Sequence, residues 1–422
     1  MLRNSADKKA DSTNTIRLRQ YPYPYRAMLA ICSDLDETPD WHTFWEIMRF
    51  LNTTETTAMG PGVGLEVGNS IYFDMPPEQF AYFNTSDEGR EMIRRLIKSG
   101  HVDCLHSFGD LAATRRHAAR ALEELDRYDC RLKVWVDHGT APTNFGPDIM
   151  QGHGDETGHQ AYHADLTIDY GIEYISRGRV TSITGQDIHA QLSGIFSVNH
   201  PIASSGTLLK EIAKRTLARA GSKKYKIHGP NEVLYPVTLR DGREVYEFMR
   251  CNPHWGGVSS CEQGRHIDKV LTSAMINRLI ERGGTCVLYT HLGKIDNPDI
   301  PFGKAAVEGF RGLAEAFQSG SILVTTTRRF LDYRRAVREV IYTSRWDDGN
   351  LCIDVDTRTS SILNRKLSSG DLSGLTFYVP DAEKISIKVN GQIVPDLKFN
   401  PADNTGQSSV SLIWPRLEFP KL

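Results

Sequence analysis

What this chain lacks narrows it first. No run of 18 or more apolar residues occurs in its 422, so a membrane-spanning helix is excluded. Neither sign of charge prevails: Lys+Arg 50 against Asp+Glu 52 leaves a formal net charge of -2. A nucleic-acid binder with that balance needs a local basic patch. The basic doublets Arg115-Arg116, Lys223-Lys224 and Arg334-Arg335 are short and widely spaced. They read as solvated helix faces, and no nucleic-acid partner is expected. Cys-x-x-Cys is absent, and the seven cysteines (32, 104, 130, 251, 261, 286 and 352) are odd in number and scattered. That excludes a disulfide framework and argues against a cysteine-rich zinc site. Several stand in strand-like runs such as AICSD and TCVLYTH, where a thiol serves as a small buried hydrophobe. The opening stretch MLRNSADKKADSTNTIRLRQ lacks the apolar core of a secretory signal, so a cytoplasmic location is expected. Internal repeats and low-complexity tracts are also missing.

What is present suits a folded protein of ordinary composition, 40% hydrophobic and 24% charged, long enough for two or three domains. Residues 1–24 read as a flexible arm ending in YPYPY. From 25 to 336 strand-like runs (28–31, 65–73, 132–136, 172–176, 245–249, 286–290, 322–326) alternate with helical patterns (41–51, 86–99, 116–128, 266–282, 304–318). Helix 86–99 has Ser86 as its cap and Met92, Leu96 and Ile97 on one face. Such alternation predicts an α/β fold with a parallel sheet or a (β/α) barrel. The pattern weakens over 177–244, where an insertion or lid is expected. Beyond 337 the texture becomes short alternating strands, with Asn390-Gly391 as a two-residue hairpin signal. Residues 337–422 read as a small all-β module, a sandwich.

Three segments at predicted strand ends carry chemistry. SDLDE places Asp34 and Asp36 after the first strand, and two close carboxylates ionise together cheaply only around a cation. The alternative is a solvated acidic turn. GHVDCLHSFGD holds His106 and Asp110 at i, i+4, a spacing that puts both on one helix face as two metal ligands. His101 reads as structural, and Asp103 and Cys104 have no assigned role. TCVLYTHLGK ends in His291, a packing residue or a candidate acid. Histidines also cluster: seven of the fourteen fall between 101 and 163. His138, in VWVDHG, stands at a strand end where barrel active sites collect. The pair His159 and His163 reads as surface or substrate-facing.

Together these segments resemble the polysaccharide deacetylase superfamily, the NodB homology fold and carbohydrate esterase family four, over residues 25–335. The resemblance rests on the Asp-x-Asp after an apolar strand, the later Gly-His-x-x-x-x-His-Ser and the late strand-end histidine. It implies a distorted (β/α)7-8 barrel, with the C-terminal β module added. It also implies a divalent metal, Zn2+ or alternatively Co2+, Ni2+ or Mn2+, and an acylated carbohydrate substrate. Carried over by position, Asp34 would be the general base, Asp36 and His106 metal ligands, and His291 the general acid. The family's third ligand falls on Asp110, an aspartate where the family has histidine. Either Asp110 binds the metal, making a harder site, or His138 supplies the nitrogen. The family's Arg-x-Pro-Tyr motif is replaced by VDHGTAPTNFG, in which Asn144 could line the pocket. Arg250 and the CNPHW segment end another strand, so Arg250, His254 and Trp255 are further pocket candidates. Trp255 would either stack on a sugar or pack in the core.

The resulting expectation is a metal-dependent hydrolase removing an N-acetyl group from a sugar or polysaccharide, a remote branch of that superfamily. The alternatives are a glycosidase or allantoinase-like amidase on the same scaffold, or a non-catalytic carbohydrate-binding protein. Self-association into a homo-oligomer is compatible with the sequence and not required by it.

Overall fold

The run AMLAICS, Ala27–Ser33, is buried along its whole length. A strand apolar on both faces must be covered on both, which suits a parallel sheet flanked by helices. The computed structural model describes residues 16–34, 37–358, 363, 365–380 and 384–422. These divide into two units. One comprises Arg26–Leu331 with Arg416–Leu422, the other 332–415 with the described part of 1–25.

In the larger unit, Ala27–Ser33 pairs in parallel with Thr285–Thr290 and with Ile322–Thr325. Thr285–Thr290 continues through Arg250–Cys251 to Val180–Thr181, also parallel, completing a five-stranded sheet. A six-stranded sheet runs Asn69–Ile71, Val102–His106, Val134–Val136, Tyr174–Ser176 and Glu244–Phe248 in parallel. It ends in the antiparallel Leu234–Thr238. Amphipathic helices lay their apolar faces on this unit's core. Trp41–Asn52 starts where the Asp40 carboxylate accepts the Thr43 N–H at 2.8 Å. Asp87–Lys98 buries Met92, Ile93, Leu96 and Ile97, and Arg115–Arg127 buries Ala118, Ala121, Leu122 and Leu125. These pack with Phe44, Phe108 and Trp135 in one cluster, each large side chain contributing roughly 1.5–3 kcal/mol by leaving water.

The architecture is therefore mixed α/β, with parallel strands alternating with helices. Among the described residues the strand pairing does not close into a barrel. The stretch 244–251 serves both sheets, Glu244–Phe248 in one and Arg250–Cys251 in the other. Between Ala27–Ser33 and Asn69–Ile71 there is no ladder; Ser70 Oγ donates to the Ser33 carbonyl at 2.9 Å instead. Asn69–Ile71 has only three residues, and its register to the next strand shifts at Asn69/Ser70, so few backbone groups remain to pair on its other side.

The stretch 177–244, expected as an insertion, contributes Val180–Thr181 and Leu234–Thr238 to the two sheets. Its helix, Pro201–Arg219, buries Ser204, Thr207 and Glu211 and exposes Ile202, Leu209 and Ile212. That polarity is the reverse of the usual amphipathic pattern, which is why the periodicity reads weakly there. Buried Glu211 accepts from Thr181 Oγ1, the Ser182 N–H and Lys214 Nζ. No helix among the described residues is long and apolar enough to cross a membrane.

The smaller unit contains two four-stranded sheets. One joins Ile341–Asp347, Asn350–Asp356, Lys384–Val389 and Gln392–Ile393, with a parallel pair at its centre. The other joins Arg17–Leu18, Thr376–Tyr378, Ser409–Leu412 and Leu397–Asn400, all antiparallel. Arg17–Leu18 thus takes an edge of this sheet, where the sequence suggests an arm. Buried Arg19 anchors it, donating to the carbonyls of Tyr21, Pro22 and Tyr25 and to Asp403.

Candidate active site

Parallel strands deliver their last residues to one side of a sheet, the side on which α/β proteins bind ligands. Asp34 follows Ala27–Ser33, with its N–H donating to the Thr290 carbonyl at 2.8 Å. His106 is the last residue of Val102–His106, and His291 follows Thr285–Thr290. Arg250 opens Arg250–Cys251. All four side chains are at least nine-tenths buried and meet at the Asp34 carboxylate. Arg250 Nη1 donates to both carboxylate oxygens, at 3.0 and 2.8 Å. His106 Nδ1 lies 3.5 Å from Oδ1 and His291 Nε2 lies 3.7 Å from Oδ2. Tyr289 lies beneath the Arg250 guanidinium, 4.4 Å from ring centroid to Cζ, and its hydroxyl is 3.3 Å from His291 Nε2. Burial alone would pull the Arg250 pKa down; the Asp34 carboxylate more than reverses this and holds the guanidinium charged. A buried pair of this kind is costly to break, since either partner left alone is an uncompensated charge.

Hydrogen bonding assigns the histidine tautomers. Ser70 Oγ has one proton, and it goes to the Ser33 carbonyl. Its 3.3 Å contact with His106 Nδ1 must therefore be an N–H donated by the imidazole, leaving the lone pair on Nε2. His138 Nδ1 lies 2.9 Å from Asp110 Oδ1. A carboxylate only accepts, so His138 too carries a proton on Nδ1, and in the neutral ring its lone pair is on Nε2. The rings of His106 and His138 stand 4.9 Å apart, edge to face. Tyr72 stacks on the first at 4.5 Å and meets the edge of the second at 4.9 Å. Two imidazoles with Nε2 lone pairs and a carboxylate behind one of them have the donor chemistry of a transition-metal site. Among the described residues no group of three His, Cys, Asp or Glu side chains stands close enough to hold a metal. Asp36 lies outside the described residues.

The other expected site residues divide differently. Asp110 is paired with His138, its side chain 40% exposed. Asn144 is fully buried and braces the loop beyond it. Its Oδ1 accepts the His138 N–H, and its Nδ2 donates to the carbonyls of His138, Gly139 and Met150. These bonds tie Asn144 to the backbone of His138. Asp137 secures the same loop, accepting from Trp135 Nε1 and from the N–H groups of Phe145 and Gly146. Burial pushes its carboxyl up to about 6 against those bonds. Trp255 stacks face to face on His200, centroids 3.8 Å apart. His254 is buried and accepts the Gly256 N–H. His163 is a core residue, bonded to Thr143 and Thr167, while His159 stacks on His153. That i, i+4 pair does not converge.

Sequence reading missed four participants. Ser70 and Tyr72 lie on or just after Asn69–Ile71, and a strand end was their only signal. Tyr289 alternates with His291 along its strand and looks like an ordinary core position. Glu262 has no local signal; it approaches His291 Nδ1 at 3.9 Å because the Gln263–His291 bridge joins distant segments. No family model, curated protein or solved structure matches this chain in comparisons with known proteins.

Proposed function

We propose that the protein is a metal-dependent hydrolase that removes an N-acyl group, such as acetyl, from a carbohydrate. The observation that carries this is the meeting of Asp34, His106 and His291, at the carboxyl ends of parallel strands, with Arg250, the first three being the positions that the deacetylase resemblance singles out. The two sheets would correspond to the distorted barrel of that superfamily, interrupted between Ala27–Ser33 and Asn69–Ile71. The smaller unit would correspond to its β-sandwich addition.

His106 and His138 would hold the cation through Nε2, with Asp36 as the third donor and Asp110 orienting His138. On this reading His138, and not Asp110, would be the ligand. A divalent cation bound there supplies a Lewis acid for the acyl oxygen and activates the attacking water. Asp34 accepts the proton of that water, its carboxylate held in one orientation by Arg250. His291 protonates the leaving nitrogen, and Glu262 beside its Nδ1 keeps the ring oriented. Acid and base are thus separate groups on neighbouring strands, as the reaction requires.

The test is acetate release from an N-acetylated oligosaccharide by protein supplied with Zn2+. Asp34→Asn is expected to lower the rate at least about a hundredfold, with the metal retained on elemental analysis. Full acetate release by the Asn variant would sink the proposal. Liberation of reducing ends without acetate would replace it with a glycosidase.

A further inference from the structure

A cavity of about 340 Å³ adjoins this site, and its walls include Arg250 and Tyr289 themselves. Its other charged lining is basic, Arg179, Lys214 and Lys224, with His228, Tyr225 and Ser259 beside them. No carboxylate lines it among the described residues. Arg179 and Arg250 belong to adjacent chain segments, the Arg250 N–H donating to the Arg179 carbonyl at 3.2 Å. Arg179 is 6% exposed. It binds Asp148 through Nη2, at 3.0 and 2.7 Å, and among the described residues its buried Nη1 has no hydrogen-bond partner. The same holds for Arg250 Nε, since both bonds to Asp34 come from Nη1. Buried guanidinium N–H groups are costly to leave unbonded. Two cavity-lining guanidiniums that each keep such an N–H point to an acceptor that arrives with a ligand. His228 reports the local field: burial first, then the charges of Lys214, Arg179 and Arg215, push it down to about 3.

We infer that this cavity binds an oxyanion borne by the substrate, a carboxylate or a phosphate, so that the substrate is an acidic sugar and not a neutral one. A planar guanidinium with a remaining N–H edge matches either group, and Lys224 adds charge, Lys214 being paired with Glu211. The assignment rests on the hydrolase reading only for what the anion is attached to; the anion site itself stands on the cavity.

Isothermal titration of the purified full-length protein with glucuronate, inorganic phosphate and glucose tests it at one ionic strength. At least one anion should bind, glucose should not, and the tighter anion names the group. Arg179→Gln should weaken that binding about tenfold or more. Exposed Lys224→Gln, which leaves the fold untouched, should weaken it a few-fold. Anions binding no better than glucose, or binding unchanged in both folded variants, overturns the inference. Anion binding without any acetate release keeps the inference and removes the deacetylase. Equal kcat/KM on neutral and acidic N-acetyl sugars, unaltered by Lys224→Gln, removes the inference and keeps the deacetylase.

Discussion

Buried ionisable side chains in the larger unit serve two different ends. Asp34 has Arg250 on both its oxygens, and its charge is balanced where the chemistry is proposed. Asp103 is equally buried, but its strongest partner is a backbone N–H, that of Arg328. Burial therefore dominates, and its carboxyl is pushed up to about 7 from 3.8. The folded protein holds that proton from roughly pH 4 to 7 while the unfolded chain releases it. Asp103 therefore supports the fold at low pH, and its contribution is lost as pH rises through 7. Asp103→Asn keeps an acceptor for Arg328 and removes the ionisation. Relative to wild type, the variant should gain on the order of 2–4 kcal/mol between pH 4.5 and 7.5, read by urea denaturation at both values. The buried histidines His101 and His163, each held near 4 by burial, contribute the opposite slope but cancel in the difference. Parallel stability curves for the two proteins would refute the assignment.

Among the elements, the turn after Val102–His106 is the one that sets the site. Ser107 has φ 46° and Gly109 φ 101°, so the chain reverses sharply between His106 and Asp110. A Cβ on Gly109 would lie 2.1 Å from the Asp74 carbonyl oxygen, and that carbonyl already accepts the Leu111 N–H. Gly109→Ala must therefore displace the turn. It should cost more than about 1 kcal/mol of stability and, if the proposed metal site is real, weaken Zn2+ binding by moving Asp110 from His138. Gly139 also has positive φ, 48°, but nothing lies within 4 Å of its would-be Cβ. Gly139→Ala should cost only its backbone strain. Thermal melts of the two variants, with zinc titration of each, check the contrast; equal losses would show that close approach to Asp74 is not what constrains the turn.

For the molecule as a whole, the chain path is less simple than a barrel followed by a module. The last seven residues return to the larger unit. Arg416 Nη2 donates to the Gly64 carbonyl at 2.6 Å, and the Leu417 N–H donates to Glu66 Oε2 at 3.0 Å. Phe419 packs on Trp45, with centroids 4.9 Å apart. Glu66 is 3% exposed and also receives Thr325 Oγ1 and Arg329. Deleting 416–422 should leave the Thr325 and Arg329 contacts but uncover Trp45 and one Glu66 oxygen. A loss of about 1–3 kcal/mol in chemical denaturation is expected. An unchanged midpoint would mean the tail adds nothing to the fold.

Many of the strands and helices outside 177–244 were legible in the sequence because they depend on local pattern. Residues 28–31 read as strand-like from their apolar run, and 86–99 shows its apolar face and its cap together. Asp34, His106 and His291 were also legible, since strand-end position and residue chemistry suffice to nominate them. The partnerships were not. Arg250 against Asp34, Ser70 against His106 and Glu262 against His291 join residues far apart in the chain, and no local spacing encodes them. The pairing of Asp110 with His138 Nδ1, on which the proposed choice of metal ligand turns, joins residues 28 positions apart. Strand pairing likewise turned on a three-residue strand too short and too irregular to carry a second ladder. Local periodicity arises from the geometry of one segment, whereas charge pairing, tautomer and sheet closure arise from where separate segments meet.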